Sequence, residues 1–188
     1  MTSSNRCPHC GALLGPSRVH GEGPWNQRWR AKLPEGNQFV PRGKLVGDCQ
    51  NPHGVIVELQ YGHLSENDIQ HRERVYGNMV WLFYACHAHS KGRLCLRFYP
   101  GRPRVNFAWS MPRETIGACQ RTVYLDLGES HQAGGRHLIL ELKRCHPRQG
   151  GRLSGSGTTY TAEAFHNWMA HGIPLTPFIP ETTDHAAA

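Results

Sequence analysis

The sequence predicts an α/β fold, a mixed sheet flanked by helices, with additional β-strands towards the C-terminus. Three observations lead there. Residues 79–85, Met-Val-Trp-Leu-Phe-Tyr-Ala, form a continuous apolar run with turn residues on both sides, as a strand buried on both faces requires. Residues 64–69, Leu-Ser-Glu-Asn-Asp-Ile, carry a helix start just ahead of that run. A tight hairpin signal stands just before the helix, so strand, helix and strand follow one another.

Composition narrows the class. The chain has 188 residues, enough for one domain with a small appendage, and a hydrophobic fraction of 38%. The most apolar stretches, 80–86 and 137–142, fall far short of the roughly 18 residues a membrane span needs. No apolar run follows Met-Thr-Ser-Ser-Asn-Arg, so we expect no signal peptide and a cytoplasmic protein. Seven cysteines without an export signal fit a reducing compartment, with thiols free or on metal. The net charge is +7, from 21 Lys and Arg against 14 acids. Arginine dominates the cations, and its planar fork of donors suits phosphate, so a nucleic-acid partner is compatible.

Taken in order, residues 1–19 hold Cys7-Pro8-His9-Cys10-Gly11, a zinc-knuckle spacing that offers two thiolates to a tetrahedral ion. Two more ligands would have to come from Cys86, His87, His89, Cys95, Cys119, Cys145 or His146; the plain alternative is a tail whose cysteines bind nothing. Residues 24–33 read as a helix. Pro24 suits its first position, Trp25, Trp29 and Leu33 make one stripe, and Pro34 and Gly36 end it. Glu22 lies just before its first turn, where the helix dipole favours a carboxylate. A short strand is expected at 38–40.

Residues 44–60 then form the hairpin. Asn51-Pro52-His53-Gly54 has the residues of a type I turn followed by a left-handed glycine. That turn pairs Asn51 with Val55, Gln50 with Ile56 and Cys49 with Val57, and it sets Asp48 opposite Glu58. Lys44, Val46 and Asp48 share one strand face, and Ile56, Glu58 and Gln60 share one on the partner. Directly opposed carboxylates destabilise a strand pair unless both point into water or a cation lies between them. A metal-dependent phosphodiesterase uses such hard oxygen ligands for Mg²⁺ or Mn²⁺.

After the hairpin, Ser65 caps a helix with Asp68 at its third position, Leu64 staples to Ile69, and Gly77 stops it. Strands follow at 93–99, 105–109, 122–127 and 137–144. Residues 146–159, rich in Gly, Arg and Ser, read as a loop. A last helix spans 161–171, capped by Thr161 and stopped by Gly172, and 173–188 read as a tail.

Asp48 followed by Glu58-x-Gln60 across a hairpin resembles the core motif of the PD-(D/E)xK nuclease superfamily. Residues 55–60 (Val-Ile-Val-Glu-Leu-Gln), Leu64-Ser65, Arg72, Tyr76 and Val80-Trp81-Leu82-Phe83 resemble competence protein CoiA-like nucleases more narrowly. The Cys-x-x-Cys segment, the helix with Trp25 to Lys32 and, more loosely, residues 123–128 fit that family as well. The main match covers about residues 20–84. The resemblance implies a restriction-endonuclease-like fold and a metal-dependent (deoxyribo)nuclease that hydrolyses DNA phosphodiester bonds. It implies Asp48 and Glu58 as ligands of a catalytic Mg²⁺ or Mn²⁺. Gln60 takes the place of the superfamily's lysine, and Glu22 that of an upstream acid. Arg72 and Tyr76 match helix positions after the motif.

From the residues themselves, Lys44 offers the charge a glutamine lacks, and Arg72 and Arg74 offer phosphate contacts unless they only decorate a solvated helix face. The expected organisation is a zinc-knuckle-like segment at 1–19, a nuclease core at 20–90, a β-rich extension at 91–172 and a tail. Expected partners are DNA and proteins of recombination, competence or phage DNA processing. The alternatives are a non-catalytic DNA-binding protein, or a zinc-stabilised interaction module of a DNA-processing complex.

Overall fold

Four helices cover a single mixed sheet of nine strands in the computed structural model, which describes residues 23–180. The elements run α1 (Pro24–Arg30), β1 (Gln38–Arg42), β2 (Leu45–Gln50), β3 (Ile56–Gln60), α2 (Glu66–Tyr76), β4 (Met79–Tyr84) and α3 (Cys86–Ser90). They continue with β5 (Leu94–Phe98), β6 (Arg104–Trp109), β7 (Thr122–Ser130), β8 (Arg136–Arg148), β9 (Arg152–Thr161) and α4 (Ala162–His171). The spatial order is β1-β2-β3-β4-β7-β8-β9-β6-β5. Strands β3, β4 and β7 are parallel and central, and every other pair is antiparallel. Strands from both sides of residue 90 therefore join in one sheet.

The centre follows from the apolar runs. Trp81, Phe83, Val123 and Leu125 point to one face, where Ile69 and Tyr76 of α2 and Ile116 close the core. Val57, Leu59, Val80, Leu82, Tyr124 and Ile139 point to the other, under Trp25 and Trp29 of α1 and Phe165 and Met169 of α4. Helix α2 starts as its residues predict. The Ser65 side chain accepts from the Asp68 N–H, the Asp68 carboxylate accepts from the Ser65 N–H, and Gly77 ends the helix with φ +65°.

Three expectations need correction, and one element was not expected. Helix α1 stops at Arg30, because Pro34 lies just ahead and the chain closes with a Leu33 N–H bond to the Arg30 carbonyl; Leu33 is still buried. The segment 86–90 is the short helix α3. The stretch 146–159 is a β-hairpin, since β8 runs on to Arg148 and β9 returns from Arg152. Its glycines are sites of close backbone approach: a Cβ on Gly155 would lie 1.8 Å from the Arg144 carbonyl oxygen, and one on Gly157 2.1 Å from that of Glu141. The register shifts between Leu142 and Arg144 at the same place. Finally, the chain after α4 is held to the sheet as far as Phe178, whose N–H bonds to the Thr159 carbonyl. Among the described residues no helix is long and apolar enough to cross a membrane.

Asp126, in the middle of β7 where the pairing with β4 ends, has no solvent exposure. One carboxylate oxygen accepts from the indole N–H groups of Trp25 (2.6 Å) and Trp29 (2.9 Å). The other accepts from the Gly128 N–H (2.9 Å), contacts His137 Nε2 (2.5 Å) and receives the Cys86 thiol (3.3 Å). Burial pushes its pKa up, but these donors, His137 foremost, outweigh burial and hold it below the ordinary 3.8. Asp126→Ala should cost on the order of 2–4 kcal/mol in urea unfolding at neutral pH, since it strands two buried indole donors. A carboxylate with a lowered native pKa contributes stability above its unfolded value and loses it as pH falls through the native one. The gap between wild type and variant should therefore narrow below pH 3.8.

Candidate active site

The hairpin turn forms as its residues dictate. The Asn51 side-chain oxygen accepts from the N–H groups of His53 and Val55, both at 3.0 Å. The Gly54 N–H returns to the Asn51 carbonyl at 2.9 Å, and Gly54 takes φ +78°. Gln50 pairs with Ile56 and Cys49 with Val57, the expected register. The ladder ends there, so Asp48 does not stand as the regular cross-strand partner of Glu58. Its carboxylate instead accepts the Leu59 N–H at 2.8 Å, standing in for a strand carbonyl. Gly47 makes this bend feasible, because a Cβ there would lie 2.8 Å from Ile56 Cγ2.

The two carboxylates still sense each other. Glu58 is 4% exposed, on the face that α2 covers. Burial first, and then the neighbouring charge of Asp48, push its pKa up from 4.5 to about 8; Arg72 and the Asp48 backbone N–H act the other way. Arg72 of α2 pairs with Glu58 Oε1 and contacts the Tyr76 hydroxyl at 3.4 Å. Tyr76 is raised as well, by burial and then by Glu58. Glu58 Oε2 is buried and has no hydrogen-bond partner among the described residues.

Around this pair stand residues of three other elements. Gln60, also buried, donates its amide to the Gly62 carbonyl at 2.8 Å. Arg113 donates to that same carbonyl (2.7 Å) and to those of Tyr61 (2.6 Å) and Tyr84 (3.1 Å). A cleft of about 340 Å³ opens there, lined by Tyr61, His63, Arg113 and Glu114. Helix α1 reaches the hairpin through Asn26, whose amide donates to the Leu59 carbonyl at 2.9 Å, and through Arg30. Arg30 is buried, lies over the Phe39 ring at 4.5 Å, and pairs with Asp48 at 3.2 Å. Phe39 takes φ +51° in that clamp, a conformation uncommon for a large side chain.

The structure thus gathers Asp48, Glu58, Gln60 and Arg72 at one end of the hairpin. Lys44 lies in the exposed turn before β2, four residues and about 13 Å of strand from Asp48. Arg74 is exposed on α2, away from the buried side that carries Glu73 and Tyr76. Glu22, Cys7 and Cys10 lie outside the described residues. Among the described residues no three His, Cys, Asp or Glu side chains group to hold a metal. The Cys86 thiol donates to Asp126, and burial pushes the Cys119 thiol up to about 12. The sequence reading missed Arg30, whose only signal was its place one residue after Trp29 on the helix leading into the hairpin.

No family model, curated protein or solved structure matches the chain.

The pKa of Glu58 has a measurable consequence. Its native value stands above its unfolded one, so the native state retains a proton between pH 4.5 and about 8. In EDTA, wild-type stability should decline as pH rises through that window, and Glu58→Gln should flatten the decline. Thermal unfolding of both proteins across the window checks this; parallel curves would exclude a raised Glu58.

Proposed function

We propose that the chain is a metal-dependent nuclease that hydrolyses DNA phosphodiester bonds, with a restriction-endonuclease-like core of the competence CoiA-like type. One observation carries the reading: a buried carboxylate, Glu58, sits beside Asp48 with one oxygen unpartnered among the described residues and its proton held to about pH 8. A carboxylate pair that resists double ionisation is a favourable place for a divalent cation, which would remove the repulsion. The hard oxygen donors suit Mg²⁺ or Mn²⁺. The order of α1, the β1–β2–β3 meander, α2 and parallel β4 supports the same reading.

In this reading Asp48 and Glu58 hold the ion. A divalent ion held by these two residues would supply Lewis acidity to a phosphoryl oxygen and to the attacking water. Gln60, two residues along β3, orients that water through its amide. Asn26 and Arg30 hold α1 against the hairpin and so keep Asp48 in place. Arg72 is the guanidinium beside Glu58 that would meet a substrate phosphate.

A second reading has its own observation. Arg30 pairs with Asp48 and Arg72 with Glu58, so each carboxylate has a cationic partner from the protein. That is what a non-catalytic DNA-binding protein of this fold would show. Incubation of single- and double-stranded DNA with Mn²⁺, against an EDTA control, separates the two. Under the nuclease reading cleavage needs the metal. Asp48→Ala and Glu58→Ala each lower it by at least about 10²-fold, the scale of losing a main electrostatic group. Both variants should still bind DNA. Absence of metal-dependent cleavage by wild type, or full cleavage by both variants, would leave the second reading.

A further inference from the structure

The positive charge of this chain is concentrated at the opposite end of the sheet from the hairpin. Residues 91–110 and 142–162 hold nine of its 21 Lys and Arg and none of its 14 acids. The remaining residues hold twelve cations against the fourteen acids, so these two segments account for the whole positive balance. Both segments fold into adjacent strands, β5, β6 and β9 with the distal half of β8.

Those strands have two unlike faces. One carries Leu94, Leu96, Val105, Phe107 and Trp109 into the core. On the other, cross-strand rows can be read from the register. Arg97 pairs with Asn106, Asn106 with Ser156 and Ser156 with Arg144; beside them Ala108 pairs with Ser154 and Ser154 with His146. Asn106, Ala108, Ser154 and Ser156 thus line the middle of the inner strands, with Arg97 and Arg144 on the outer ones and Arg104 at the start of β6. The result is an open groove of about 350 Å³, floored by Asn106, Ser154, Gly155 and Ser156 and walled by Arg104 on one side and Arg144 and Arg148 on the other. Gly155 pairs with Phe107, so a Cβ there would turn to the core side, 2.8 Å from the Phe107 ring and 1.8 Å from the Arg144 carbonyl oxygen.

No carboxylate forms an ion pair with Arg104, Arg144 or Arg148 among the described residues. Arg148 is steadied by Ser154, to which its Nε donates at 2.8 Å. Residues on one face of a strand repeat at about 7 Å, so Arg144, His146 and Arg148 present donors at a regular interval along the wall. Glu141, the acid on the same face of β8, is buried and already engaged by Lys143 and the Tyr160 hydroxyl. Three exposed guanidinium groups over a floor of hydroxyl and amide groups therefore complement a polyanion with regularly spaced charges.

We propose that this groove binds the phosphodiester backbone of a nucleic acid, as a site separate from the Asp48 and Glu58 pair. The interaction is made to phosphates and carries no base readout. It does not depend on the nuclease reading, because it needs neither carboxylate nor metal.

The test is fluorescence anisotropy of the full chain with labelled single-stranded and duplex DNA, in EDTA, over a salt series. The triple variant Arg104→Ala, Arg144→Ala, Arg148→Ala should bind at least about tenfold more weakly. Its slope of log affinity against log salt should fall by about 2–3, because each phosphate that an arginine neutralises contributes about 0.7–0.9. A control triple with the same change of charge, Arg28→Ala, Arg121→Ala, Arg136→Ala, should keep the wild-type slope. All six side chains are exposed, and matching circular dichroism spectra will show that both variants fold. The assay contains EDTA and reads binding alone, so inactivity of the nuclease would leave the result readable. Unchanged affinity and slope in the groove variant, an equal weakening in the control, or competition by polyglutamate as strong as by unlabelled DNA would each overturn the proposal.

Discussion

The burial of the Asp126 carboxylate in the middle of β7 is the interaction on which the arrangement depends. A charge with no solvent exposure persists only if protein donors replace its water. Asp126 draws those donors from four places: both tryptophans of α1, the first residue of α3, the backbone at Gly128 and His137 of β8. The requirement fastens α1 across the sheet at a fixed height. That height brings Asn26 to the Leu59 carbonyl and Arg30 to Asp48. The candidate site at one edge is therefore positioned by a carboxylate three strands away.

Within the site the governing effect is desolvation. Glu58 sits under α2, where ionisation is costly, and Asp48 raises that cost. Arg72 reduces it from the helix, and Arg30 does the same for Asp48 from the other side. The bend of β2 belongs to the same balance. With the Asp48 carboxylate taking the Leu59 N–H, the regular ladder gives way, and the two acids approach without standing directly opposed. Gly47 permits that bend because Ile56 occupies the space its side chain would need.

Charge is segregated over the sheet in a way that neither edge alone reveals. The buried acids are held by protein donors, Glu58 by Arg72, Glu73 by the Trp81 indole, Asp126 by the α1 tryptophans and Glu141 by the Tyr160 hydroxyl, while exposed arginines gather on the open face of β6, β8 and β9. The exposed acids among the described residues, Glu35, Glu66, Asp68, Glu114, Glu129 and Glu163, lie outside β6, β8 and β9, so the field has a direction. A polyanion approaching the molecule would meet the arginine face before the carboxylate pair.

Local signals were legible wherever a few neighbouring residues decide the outcome. The capping box of α2, the Asn51 turn with the register it imposes as far as Cys49 and Val57, and the apolar run of β4 could all be read from the chain, as could the grouping of Asp48, Glu58 and Gln60 on one hairpin. Residues 146–159 were not legible. Glycine and serine there resemble a loop, and only the close approach of β8 at its bulge explains why a strand needs them. Arg30 and Asp126 were not legible as partners of the site either, because their contacts cross 18 and about 100 residues of chain. Sequence by itself determined the elements and the hairpin chemistry, since turns, caps and apolar runs act between near neighbours. Tertiary structure decided which charges are buried, which cations answer them and which arginines stay exposed, because burial exists only once distant strands share a sheet.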